Sequence, residues 1–189
     1  PRARRARRAP GAEGADVTSR AALRAVQSAA AGLGMIDVVR AQAMAARGLE
    51  MARAIGDGAS LCRALAMDAP FRASAGLRGQ RVAARQLDEA RALAEAAGSD
   101  RLRALVLCSE GIAAWHAGRW ADTLRSCDAG LKVLEGVPGA GWEQLMGSIF
   151  AMDGLAWMGR WDRVQDRLLP LLDVARARGD GYTEGILAT

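Results

Sequence analysis

The chain has 189 residues and is about half apolar but rich in alanine, with 4% aromatic residues and three cysteines. That length supports one domain with a continuous buried core, so neither metal nor disulfide is needed to hold it, and alanine favours helix because it loses no side-chain entropy there. The net charge of +5 comes entirely from Arg2, Arg4, Arg5, Arg7 and Arg8, and the remaining basic residues balance the 21 acidic ones, which excludes a broad phosphate-binding face.

The first 16 residues read as a basic, disordered arm, because blocks of like charge are usually solvated. The stretch GAEGADVTSR follows the arginines where a secretory signal needs an apolar segment. No stretch approaches the roughly 18 apolar residues of a membrane helix. The chain therefore reads as soluble and cytoplasmic. Pro1 at one end and GDGYTEGILAT at the other suggest a piece of a longer protein.

From residue 17 onward the chain is punctuated. Gly34, Gly76, Gly118 and Gly159 recur at intervals of 42, 42 and 41 residues. A second series, IGD at 55–57, GSD at 98–100, a GVPGAG break at 136–141 and RGD at 178–180, interleaves with the first. Between the marks, apolar residues follow helical spacing, as in Trp161, Val164, Leu168, Leu171, Leu172 and Ala175. The pattern predicts helix pairs over 17–33 with 36–55, 59–75 with 80–97, 100–117 with 120–135, and 142–158 with 160–178. A fifth pair begins near 181, and the whole of 17–189 reads as one all-α repeat domain. Asp57, Asp100 and Asp180 are placed to cap the helices that follow them. Pro70 and Pro170 fall inside helices and are expected to bend or break them.

The spacing from Gly111 to Gly118, followed by Arg119 and Trp120, resembles the G-x6-G-x-[YW] core of the tetratricopeptide repeat. The resemblance implies a right-handed α-solenoid of antiparallel helix pairs, here with a period of about 41–42 residues. Thr123 and Val164 stand where that pattern usually has alanine. The phrases GLGMIDVVRAQAMAARGLEMARAIGD, GIAAWHAGRWADTLRSCDAGL and AGWEQLMGSIFAMDGLAWMGRWDRV resemble, more narrowly, the C-terminal tail of large bacterial serine/threonine protein kinases that also carry an ATPase module. That resemblance implies a kinase elsewhere in the parent protein. The chain itself has no HRD, no DFG and no phosphate loop, and Lys132 is its only lysine.

Catalytic, cofactor and metal sites are not expected. His116 is the only histidine, and Cys108 lies eight residues away, roughly 12 Å along a helix, too far for proton transfer. Cys62, Cys108 and Cys127 form no CxxC pair and read as buried thiols. Gly34, Gly76, Gly111, Gly118 and Gly159 read as packing and turn positions, with Trp120 and Trp161 filling gaps between stacked pairs. Trp115 and Trp157 end the first helices of their pairs. By the family resemblance they join His116 and Asp153 at a groove that binds a protein or peptide, which can be another domain of the same chain. Specific nucleic-acid and membrane binding are not expected. The function implied is a non-catalytic scaffold in a kinase/ATPase signalling protein. The alternative is the ligand-sensing region of an ATPase-type bacterial transcription regulator, binding a small molecule; an independent enzyme ranks last.

Overall fold

The computed structural model describes the backbone of residues 12–188 and the side chains of 17–188. Among these residues there are nine helices and no strand: α1 (Ala12–Leu33), α2 (Val38–Ile55), α3 (Gly58–Ala73), α4 (Gly76–Ala97), α5 (Asp100–His116), α6 (Trp120–Val133), α7 (Gly141–Trp157), α8 (Trp161–Arg178) and α9 (Gly181–Leu187). The disordered arm expected over 1–16 lies, up to residue 11, outside the described residues, and residues 12–16 belong to α1. No helix among the described residues is long and apolar enough to cross a membrane.

The helix ends reflect local chemistry. Asp57 accepts from the Ser60 amide at 3.0 Å and Asp180 from the Thr183 amide at 3.0 Å, each satisfying a donor that the first helical turn leaves open. Asp37 does the same for α2 through the Arg40 amide. At α5 the cap is Ser99, accepting from the Leu102 amide, and not Asp100, which is the first helical residue and pairs with Arg103. Gly118 and Gly159 turn the chain between paired helices at φ of +70° and +72°, which costs a residue without Cβ nothing. Gly34 departs from this series. Its junction closes without a left-handed residue, through the Asp37 amide donating to the Leu33 carbonyl at 2.8 Å. The breaks expected at prolines do not occur. Helices α3 and α8 run through Pro70 and Pro170, each of which forgoes one backbone hydrogen bond.

Consecutive helices pair as α1 with α2, α3 with α4, α5 with α6 and α7 with α8. Each second helix also touches the first helix of the next pair, and α3, α5 and α7 pack directly on one another. One buried carboxylate fixes their direction. Glu143, near the start of α7 and 1% exposed, accepts from Arg101 at the start of α5 at 3.0 and 3.2 Å and from Arg63 near the start of α3 at 3.1 Å. The three first helices therefore run parallel, with their N-termini gathered at one edge of the stack.

The core is built from small residues. Ala52, Ala66, Ala69, Ala90 and Ala104 are fully buried, as are Cys62 and Leu65. Between α5 and α6 the contact is reciprocal: a Cβ on Gly111 would meet Cys127 Sγ at 2.4 Å, and one on Gly130 would meet Cys108 Sγ at 2.7 Å. Each thiol occupies the space its partner glycine leaves. Gly154 on α7 similarly makes room for α6, where Thr123 is fully buried and donates through Oγ1 to the Arg119 carbonyl.

Candidate functional site

The face shared by the first helices carries an apolar cavity of about 200 Å³. Helix α3 contributes Ala66, Met67, Pro70 and Phe71, which share one face at helical spacing, with Ser74 just beyond its end. Helix α5 contributes Leu105, Ser109, Ile112 and His116, and α7 contributes Trp142, Met146 and Phe150. The end of α1 and the α1–α2 turn close the other side with Ala31, Met35 and Val38. No Asp, Glu, Lys or Arg lines it. Its polar groups are the Ser74 and Ser109 side chains and the His116 imidazole, while the indole N–H of Trp142 is buried and has no acceptor. Burial holds the His116 pKa below the ordinary histidine value, so the ring is neutral near pH 7.

Beside this face lies a cluster of rings. Trp115 meets His116, Trp120 and Phe150 edge-on, with ring centres 5.1, 6.1 and 5.6 Å apart. Trp120 stacks on Trp157 at 5.3 Å with the planes 13° apart, joining the start of α6 to the end of α7.

Of the four side chains expected at a groove, His116 alone lines the cavity. Trp115 points into the packing between α5, α6 and α7, with its indole nitrogen buried. Trp157 is 64% exposed at the α7–α8 turn, with one side taken by Trp120. Asp153 is half-buried away from the cavity lining, and burial raises its carboxyl pKa. Trp161, expected to fill a gap between pairs, is instead 64% exposed, with no ring against it among the described residues.

The cavity residues Met35, Met67, Phe71, Ser109, Trp142, Met146 and Phe150 were not singled out by sequence reasoning. The signal was available as stripes at three- and four-residue spacing, but a groove floor and a core stripe use the same residue types. The described residues contain no group of three or more His, Cys, Asp or Glu placed to hold a metal ion. The three thiols are buried free cysteines; burial pushes Cys62 up to about 11 and Cys108 up to about 12, away from the thiolate that nucleophilic chemistry needs.

A second surface feature arises from the parallel run of the first helices. The turns within each pair all fall at the edge opposite Glu143. Among the described residues, eight of the fourteen exposed large apolar side chains lie there, including Ile36 (76% exposed), Val39, Leu77 (78% exposed), Trp157 and Trp161. Apolar side chains are concentrated at this edge, beside exposed Arg40, Arg119, Arg160 and Asp162. Compared with known proteins, the chain matches no protein-family model, and no curated protein matches it at a significant level.

Proposed function

We propose that this chain is a non-catalytic helical-repeat scaffold, a right-handed α-solenoid of tetratricopeptide-like pairs that mediates protein–protein contact, including contact with other domains of its own parent protein. The observation that carries the reading is the apolar turn edge. Its exposed Ile36, Val39, Leu77 and Trp161 sit on three of the four pair turns, and exposed apolar side chains gathered at one edge are the kind of surface that partners cover. Repeated stacking supports it, since helix pairs that share a core present extended surfaces to partners.

A photo-crosslinking amino acid placed at Ile36, Leu77 or Trp161, with Arg53 at the opposite edge as control, tests the proposal in bacterial lysate. A discrete crosslinked partner from the turn edge and none from Arg53 is the expected result. Ile36→Glu and Leu77→Glu should reduce that crosslink at least tenfold while leaving stability within about 0.5 kcal/mol, as for surface substitutions generally. Equal crosslinking from both edges would sink the idea. The placement beside a kinase and ATPase module rests on the sequence phrases, and reading the coding region upstream of Pro1 decides it.

A further inference from the structure

We infer that the cavity on the first-helix face is a binding site for an uncharged, flat, aromatic small molecule. The site does not depend on the scaffold reading, because its walls are the first helices and the α1–α2 turn, whereas the scaffold reading stands on the exposed turn edge.

Size sets the first limit. The cavity is about 200 Å³, and an apolar cavity of roughly 150 Å³ is enough to hold benzene. A molecule of one ring or two fused rings fits the space. Shape and surface set the second. Phe71, Trp142 and Phe150 come from α3 and α7, and Met35, Met67 and Met146 lie around them. Aromatic faces and polarizable thioethers favour a flat ring through offset stacking and sulfur contacts.

Charge sets the third limit. With no Asp, Glu, Lys or Arg in the lining and His116 neutral, an ionised ligand would give up its hydration without a counter-charge. Two arginines on the same first helices, Arg63 and Arg101, already share Glu143. The hydrogen-bonding pattern sets the last. Trp142 lines the cavity with its ring, while its Nε1–H is closed off from the cavity by packing and is not offered to an occupant. The remaining polar groups are few, and the Ser74 hydroxyl is already engaged by the Phe71 carbonyl, so the occupant is apolar.

Isothermal titration with two matched probes tests these limits: indane, which is neutral, and indane-1-carboxylate, which is charged. Expected is one saturable site per chain for indane. The carboxylate should bind at least tenfold more weakly. Ala31→Phe, or Ile112→Phe as a second filling variant, should abolish indane binding, and Leu77→Glu should leave it unchanged. Carboxylate binding equal to or tighter than indane, or indane binding that persists in both filling variants, overturns the proposal. Absence of saturable binding by both probes also overturns it and leaves the cavity to a side chain of a protein partner.

Discussion

At the scale of single residues, the most constrained positions are the glycines and cysteines that interlock. Gly111 has Cys127 Sγ 2.4 Å from where a Cβ would stand, and the Thr123 carbonyl and Cys127 amide within 3.1 and 3.2 Å, so neither helix can yield without moving backbone. Gly111→Ala should therefore destabilise the chain by about 1–3 kcal/mol, the usual cost of overpacking, although alanine is the better helix former. Adding Cys127→Ala removes the Sγ clash but not the two backbone contacts. The double variant should recover part of the loss, measured as a non-additive term in urea unfolding. Strict additivity would show that the two side chains do not meet. Trp120 and Trp161 teach the converse lesson. Both open a second helix after GRW, yet Trp120 is half-buried against Trp157 while Trp161 is exposed. A local phrase fixes where a side chain starts, and the neighbouring helix decides whether it is covered.

At the scale of elements, the helices are held in order by a small number of long-range ties. Glu143 links α7 to both α5 and α3, Arg91 on α4 reaches Glu110 on α5, and Arg167 on α8 grips Asp128 on α6 with two bonds of 2.7 and 2.9 Å. Of these carboxylates, Glu143 is the one that is fully buried. Glu143→Gln leaves two guanidiniums facing an amide, and breaking a buried pair typically costs about 3–5 kcal/mol. Here the arginines are 28% and 41% exposed and can turn toward water, so a loss of about 2 kcal/mol is expected, read by chemical denaturation. A loss below about 0.5 kcal/mol would mean that the tie contributes no more than a surface pair.

The element order was legible in the sequence because two interleaved glycine series mark both ends of each helix. Helix α4 begins at Gly76 where 80 was expected, since the turn after α3 is shorter than its composition suggests. Pro70 is tolerated near the end of α3, where few backbone bonds lie beyond its missing donor. The cavity was not legible. Its walls come from α1, α3, α5 and α7, and only the tertiary arrangement of those helices brings Met35, Phe71 and Trp142 together.

At the scale of the whole molecule, contacts run mainly between neighbours in the chain, as in a quasi-one-dimensional array. Stability should then be uneven. The central pairs α3–α4 and α5–α6 have packed neighbours on both sides, whereas α8 rests mainly on α7 and α9 and buries only Ala175 fully. Amide hydrogen exchange should show α8 and α9 opening first and α3 to α6 last, with α8 protection lower by at least tenfold. Uniform protection across all helices would instead indicate a single cooperative unit.

The reciprocal seating of Cys108 and Cys127 couples the shape of the molecule to its oxidation chemistry. Cys108 Sγ lies 2.7 Å from the Cβ position of Gly130 and 3.0 Å from that of Gly147, leaving no volume for an added oxygen. In the folded chain burial keeps Cys108 protonated, up to about 12, so oxidants that require a thiolate find none. A chain oxidised to the sulfinic level before it folds should pack α5, α6 and α7 less closely, read as a lower urea midpoint than that of the reduced chain. Folding thus shields these sulfurs, and the seam they fill is the one that earlier damage to them would weaken.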